Sequence, residues 1–377
     1  MKLVLLLLRA LLLFFLQKYI YQTYWKKQLT VSIRFQERPI FEGESACLTE
    51  IIENRKLLPL IHLNVKFQIS RYLQFQNMEN TTVSDQTYRS DIFSVLFFQR
   101  ITRTLQFHCQ KRGYYEIKQA DCISSDLLMT NSLVTILPVQ TFLYVYPKSI
   151  DISSLEVPFR KMIGSITSRQ FLYEDPFEFR GIRDYTITDP MNKINWKASA
   201  RSGNLMVNLH DSTASQEVIL FLNLEDPLLW KKDILQEVSI RLAGAISHYF
   251  LNKSIPIQMV CNAYDLLTGQ VAVIPAGTGL CQITTIYQIL ARIDLSRPTI
   301  SCKQQLQDLL YTSNRTDPLY IMISSDLHPD LQEAFGNLTQ NSAGALWIAP
   351  LTADMEFPIS STPDMQVIRW EVSSYET

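Results

Sequence analysis

The residues best placed to do chemistry lie between positions 177 and 211, FEFRGIRDYTITDPMNKINWKASARSGNLMVNLHD. Arg180, Arg183, Lys193, Lys197 and Arg201 stand there among Glu178, Asp184, Asp189 and Asp211, with Tyr185 and Trp196 between them. Pro190 biases the residue before it toward an extended backbone, so Asp189 reads as the N-cap of a helix over 191–200. On that helix Lys193, Lys197 and Arg201 recur every four residues and share one face. Such a face suits an acidic partner or a phosphate, although no glycine-rich loop accompanies it. The competing account is structural: Asp184 and Asp189 pair with Arg183 and Arg201 and lock a connector between two domains. Trp196 points away from the cations and reads as an anchor into a core. Gly203 ends the helix, and Leu205-Met206-Val207 opens a strand.

The same stretch resembles the signature of a bacterial family, domain of unknown function 58. That pattern runs G-x-R-x-Y, then G-D, a basic pair, I-x-W and S-A-R. Its counterparts here are Gly181, Arg183, Tyr185, Asp189, Lys193, Ile194, Trp196, Ser199, Ala200 and Arg201. With Lys197 they form the candidate interaction set. Thr188 stands where the family usually has glycine, Asn192 and Lys193 where it often has two arginines, and Asn195 where it often has aspartate. The resemblance extends more loosely over most of the chain. It implies company with MoxR-type AAA+ ATPases and von Willebrand A proteins, and commonly two N-terminal spans, of which one can be counted here.

The elements that must position these residues follow from hydrophobic rhythm. Residues 217–224, EVILFLNL, form a nearly continuous apolar run, as expected of a strand buried on both faces. A long amphipathic helix over 230–251 follows, with Ile234, Val238, Leu242, Ala245 and Tyr249 at spacings of three and four. Further strands are expected at 255–261, 319–324, 345–349 and 366–372, and helices at 283–293, 304–311 and 329–335. This alternation predicts an open parallel sheet of Rossmann type, covered by helices on both faces. The resembled family is related here to von Willebrand A domains, and the order agrees.

That relation raises a metal question. A von Willebrand A domain that binds Mg²⁺ carries D-x-S-x-S at the end of its first strand, where hard oxygen ligands converge. The matching place here is Asn223-Leu224-Glu225-Asp226-Pro227, without the two serines. Asp226, Ser324 and Asp326 are the candidate ligands of a degenerate Mg²⁺ site, with Ser325 nearby. Otherwise Glu225 and Asp226 cap a helix starting near Pro227. No other cofactor is expected.

Residues 28–150 read as an antiparallel β-sandwich-like domain, from alternating runs at 29–35, 61–70, 93–98, 101–109, 113–118 and 134–145. Residues 77–85 read as a polar hairpin tip, and His62 and His108 as packed strand residues. The chain thus divides into a membrane anchor over 1–27, the sandwich over 28–150, a linker with the signature segment over 151–215, and the α/β domain over 216–377: an α+β multidomain protein.

The N-terminus is apolar from Leu3 to Leu16, interrupted by Arg9, and continues through a Tyr/Trp cluster to Trp25. It reads as an uncleaved single-pass anchor rather than a signal peptide, because no small-x-small site follows. Lys18, Lys26, Lys27 and Arg34 on its C-terminal side predict a cytoplasmic soluble part. A net charge of −1 gives no global field toward nucleic acid, so no nucleic-acid partner is expected. The six cysteines are far apart and read as reduced, buried thiols. No H-E-x-x-H, G-x-S-x-G, P-loop or kinase motif occurs. The leading expectation is therefore a non-catalytic, membrane-anchored adaptor working with a MoxR-type AAA+ ATPase in maturing or assembling a client. The alternatives are a hydrolase or metal-dependent binder sited near Glu225, Asp226 and Asp326, and a surface adhesin of opposite topology.

Overall fold

Alternating strands in the first part of the chain and helix-flanked apolar strands in the second build two separately packed units, Met1–Lys148 and Ser149–Thr377, in a computed structural model. The structure describes residues 2–36, 38–161, 179–186, 189, 191, 194–210, 217–225, 233–312, 318–340, 342, 344–355, 357 and 365–372.

The first unit opens with helix α1 (Lys2–Tyr24), long and apolar enough to cross a membrane. Ten strands follow: β1 (Leu29–Phe35), β2 (Ile40–Phe41), β3 (Ser45–Asn54), β4 (Leu60–Ser70), β5 (Leu73–Phe75), β6 (Thr81–Val83), β7 (Gln86–Val95), β8 (Arg100–Cys109), β9 (Gly113–Ser125) and β10 (Ser132–Tyr146). They pair into one sheet of order β1-β3-β8-β5 and another of order β2-β10-β9-β4-β7-β6. The inner faces of both sheets share one apolar core, closed by edge-to-face rings of Phe35, Phe75 and Phe107. Tyr21 and Trp25, at the end of α1 and just past it, are buried in that core.

Two strand expectations are corrected. The run expected over 93–98 belongs to β7, which ends at Val95; Phe98 sits beyond it in a turn with φ +51°. The polar tip at 77–85 contains β6, which pairs with β7 from Thr81↔Arg89 to Val83↔Thr87.

Charges also point inward in this sandwich. The buried side of β7 carries Arg89 and Asp91, and that of β3 carries Glu50. Arg103 of β8 reaches Asp91 at 2.9 Å, so an ion pair ties one sheet to the other. Arg89 pairs with the same carboxylate and lies over the Phe75 ring, 4.7 Å from its centroid. Glu50 is 1% exposed, and neither of its oxygens has a hydrogen-bond partner. Burial first, and then the nearby Asp91 charge, push its carboxyl up to about 7, against the pull of Arg103 and Arg89.

The second unit is built on a sheet of order β15-β14-β13-β17-β18-β19, with β16 (Ile293–Asp294) paired to β14. Its strands β13 (Val218–Asn223), β14 (Ile257–Asp265), β17 (Leu319–Ser324), β18 (Gly344–Leu351) and β19 (Met365–Glu371) run parallel. The strand β15 (Val271–Gly277), which the apolar rhythm did not show, pairs antiparallel at one edge. Alternate residues of β13 feed two cores. Val218, Leu220 and Leu222 join the core containing α3 (Asp233–Asn252) and α4 (Gly279–Arg292). Ile219 and Phe221 join the core containing α5 (Cys302–Thr312) and α6 (Pro329–Thr339). The expected parallel strands with helices on both faces are thus present, within a mixed sheet whose β15 and β16 run antiparallel to β14. The expected linker starts packed: within 151–161, Leu155 and Phe159 are fully buried in the first of these cores, with the Phe159 and Phe250 rings 5.1 Å apart, and 162–178 lie outside the described residues.

Glu50 generates a pH prediction. Its folded pKa of about 7 exceeds the ordinary value of 4.5, so its contribution favours folding below pH 4.5 and is lost as pH rises through 7. That loss amounts to about 3 kcal/mol, from roughly 1.4 kcal/mol per pKa unit. Urea unfolding of the full chain in detergent should show Glu50→Gln gaining stability over the native protein by about that amount between pH 5 and 8. Parallel profiles for the two proteins would rule out a buried, unpaired Glu50.

Candidate functional site

The signature segment folds as a hairpin with a short helix in its loop. β11 (Phe179–Asp184) pairs antiparallel with β12 (Met206–His210). Between them α2 runs only from Trp196 to Ser202. Ile194 forms a bridge to Val207, and both are buried. Asn195 then caps the helix, its Oδ1 accepting from Ala198 N at 2.9 Å while its Nδ2 donates to Asn208 Oδ1 at 2.7 Å. The Ser199 hydroxyl donates to Asn195 O and accepts from Met206 N, both at 2.8 Å. Gly203 closes the helix in the left-handed conformation, φ +76°, as expected of a helix-ending glycine.

Asp189 is not the N-cap. It takes both arms of the Arg183 guanidinium, at 2.7 and 2.6 Å, and also Thr186 N and Oγ1, each at 2.8 Å. A bidentate charged pair plus a turn bond outcompetes capping for this carboxylate, so the helix starts five residues later than the proline rule suggests. Those hydrogen bonds, Arg183's first, hold Asp189 well below the usual carboxylate range. The expected pair of Arg183 with Asp189 is therefore present, whereas Arg201 is exposed on α2.

Trp196 requires the larger correction. It is 66% exposed rather than anchored in a core. Lys197, Ala200 and Arg201 are exposed on the same helix, and Leu205 and Met191 are exposed beside it in the chain. Of the remaining signature residues, Gly181, Tyr185 and Ser199 are half-buried. Lys193, expected to complete the cationic face, lies outside the described residues.

The second candidate place is the C-terminal edge of the parallel strands. Asn223 and Ser324 are register partners on β13 and β17, and Asn223 Nδ2 donates to Ser324 Oγ at 3.0 Å. Asn262 of β14 donates to Asn223 Oδ1 at 2.6 Å and to Ile300 O at 3.1 Å, and accepts from Leu224 N at 2.8 Å. Glu225 N also donates to Asn223 Oδ1. Ser324 Oγ accepts from Asp326 N and donates to Asp326 O, and Asp326 Oδ1 takes His328 N. Glu225 Oε2 accepts from Cys302 N. Asn262 was not among the expected residues; its signal is a fully buried amide in the middle of the strand run IQMVCNAYD.

Two oxygens at this edge are already engaged. The oxygens of Asn223 and Ser324 that would ligate a hard divalent cation are taken up by N–H donors, and the amide of Asn223 presents hydrogens toward Ser324. Asp226, the third expected ligand, lies outside the described residues. Among the described residues no group of three His, Cys, Asp or Glu side chains is placed to hold a metal.

No protein-family model matches the chain, and no curated protein matches it. Among solved structures, domains D2 and D3 of the major pilin SpaD from Corynebacterium diphtheriae align with 33% of this chain and 57% of that one, at 10% identity and a TM-score of 0.23. A non-cellulosomal cohesin from Archaeoglobus fulgidus aligns with 35% of this chain and 97% of its own, at 13% identity and a TM-score of 0.21. The CARDB domain of the PF1109 protein from Pyrococcus furiosus aligns with 30% and 90%, at 12% identity and a TM-score of 0.20. Likenesses this weak carry no argument about activity.

Exposure and burial make opposite predictions for two substitutions. Trp196→Ala should change unfolding stability by no more than about 0.5 kcal/mol, as at an ordinary surface site. Asn262→Ala leaves Leu224 N without its acceptor and takes one donor each from Ile300 O and Asn223 Oδ1, and should cost about 3 kcal/mol. Denaturant titration of both variants checks this, and a large loss at Trp196 would return it to the core.

Proposed function

We propose that the chain is a membrane-anchored, non-catalytic docking protein whose signature segment presents Trp196, Lys197 and Arg201 to a protein partner. The observation that carries this reading is the exposed Trp196 on a helix whose scaffold is internally satisfied. Asn195, Ser199, Gly203 and the Arg183–Asp189 pair fix α2 in place, so little ordering entropy is lost on binding. Tryptophan and arginine dominate the energy of protein interfaces, and an exposed tryptophan flanked by cations fits an acidic partner surface with an apolar pocket.

The resemblance to domain of unknown function 58 supplies the kind of partner: a MoxR-type AAA+ ATPase, with a von Willebrand A-like fold for the second unit. The doubly covered parallel sheet supports that fold, and the closed hydrogen-bond network at its strand ends supports a reading in which no metal is used. Burial of Tyr21 and Trp25 in the sandwich core supports retention of the C-terminal end of α1, since cleavage after them would remove both rings from that core. The basic residues after α1 support a cytoplasmic soluble part.

Affinity capture from detergent-solubilised membranes, with the full chain as bait, tests the reading. An AAA+ ATPase should be recovered in a nucleotide-dependent way, and Trp196→Ala or Arg201→Glu should lower recovery about tenfold or more. Absence of an ATPase with and without ATP would contradict the partnership. Topology has its own test. Cys122 and Cys261 are buried, whereas Cys281 is exposed. An impermeant maleimide should leave Cys281 unlabelled in intact cells and label it after permeabilisation; labelling from outside would reverse the assigned topology.

A further inference from the structure

Helix α1 does not leave the first unit as a free stalk. Gln17 Nε2 donates to Asp126 Oδ2 at 3.1 Å, and the Tyr21 hydroxyl donates to Pro59 O at 2.8 Å. Two turns of the sandwich therefore grip the helix from Gln17 onward. The nearly continuous apolar run of α1 ends at Leu16, where this grip begins. A helix that lies in a bilayer up to that point brings its gripped turns, and whatever stands beside them, to the membrane interface.

What stands beside them is apolar. Three turns crowd this end of the sandwich, with Leu57 on the first, Phe97 and Phe98 on the second, and Leu127, Leu128 and Met129 on the third, all exposed. They are held firmly. Asn54, fully buried, donates its side-chain amide to Leu58 O and Leu96 O, both at 2.9 Å, and Phe98 N donates to Lys56 O. Asp126 accepts from Thr130 N and Oγ1 at 2.6 Å and from Asn131 N at 3.0 Å. Phe98 and Met129 have φ of +51° and +55°, a conformation that glycine or asparagine adopts far more easily than bulky side chains. Two large apolar residues are thus held at strained, water-facing turn tips, where an isolated soluble domain has no use for them.

Between α1 and the first turn lies a groove of about 500 Å³ lined by Ile20, Tyr24, Lys27, Lys56 and Leu58 among others. Lys56 is only 8% exposed, and its Nζ has no hydrogen-bond partner. Burial lowers its pKa to about 8, which leaves the ammonium mostly charged at neutral pH and in want of an anion.

We propose that this end of the first unit is a bilayer-docking surface: the turns at Leu57, Phe98 and Met129 insert among lipid chains around α1, and the groove seats an anionic lipid phosphate on Lys27, over the buried ammonium of Lys56. The inference rests on the reading that α1 lies in the bilayer, and adds that the sandwich itself is pinned to the membrane surface. Insertion of aromatic and aliphatic tips beside snorkelling lysines is the interfacial arrangement expected where an apolar surface meets headgroups.

The test uses the full chain in vesicles, with Cys281→Ser to remove the exposed thiol and an environment-sensitive fluorophore on one new cysteine. Phe98→Cys and Met129→Cys should report a lipid environment through blue-shifted emission and quenching by spin-labelled lipid. Tyr88→Cys, on an exposed site of β7 toward the opposite end of the sandwich, should report water. A Leu8→Cys label on α1 separates the two readings. Lipid at Leu8 with water at Phe98 and Met129 overturns the docking surface and leaves the anchor standing; water at Leu8 overturns both. Adding phosphatidylglycerol to phosphatidylcholine vesicles should deepen the Phe98 signal severalfold, and Lys56→Met should abolish that gain. A gain that survives Lys56→Met overturns the phosphate seat.

Discussion

A strand with apolar side chains on both faces exists only between two covering layers, and β13 imposes that condition on the second unit. Val218, Leu220 and Leu222 demand α3 and α4; Ile219 and Phe221 demand α5 and α6. Once both faces are covered, polar groups of the central strands can appear only at the strand ends. There Asn223, Asn262 and Ser324 bond to one another and to the departing backbone, and so close the edge that open α/β sheets commonly use for ligands. The hairpin segment lies apart from that network, and there α2 carries its large side chain exposed.

The first unit meets a comparable constraint with charge. Inward positions of β3 and β7 hold Glu50, Arg89 and Asp91, which a sandwich core tolerates only when they are paired across the sheets. Asp91 satisfies this through Arg89 and Arg103, whereas Glu50 is left with burial and no hydrogen bond, and its raised pKa is the consequence. The Asp91–Arg103 pair joins one sheet to the other, and desolvation of both charges offsets much of its Coulombic attraction.

Much of this was legible in the sequence. The strands at 218–223 and 319–324, the long amphipathic helix, the apolar α1 and the helix-ending Gly203 follow from periodicity and backbone chemistry alone. Trp196 did not, because a helix with cations on one side suggests a buried ring on the other, and α2 is too short and too far out for that rule to hold. The start of α2 was misplaced because Asp189 had two possible duties, and only the fold shows that Arg183 claims it. The inward charges were readable in principle: Arg89, Asp91 and Glu50 occupy the same alternation as Phe93, Val95, Leu48 and Ile52, which a search for chemistry in motifs passes over. Edge strand β15 escaped because its alternation is short and broken by Pro275.

The central claim is that the exposed face of α2 is where a partner binds. A photo-crosslinking amino acid placed at Trp196 in the full chain, in living cells, tests it most directly, with the same group at Val273, an exposed site on β15, as the comparison. The account predicts one discrete protein adduct from position 196, none from position 273, and loss of the adduct when Arg183→Ala breaks the Arg183–Asp189 pair of the same segment. No adduct at 196, or the same adducts from both positions, would contradict it.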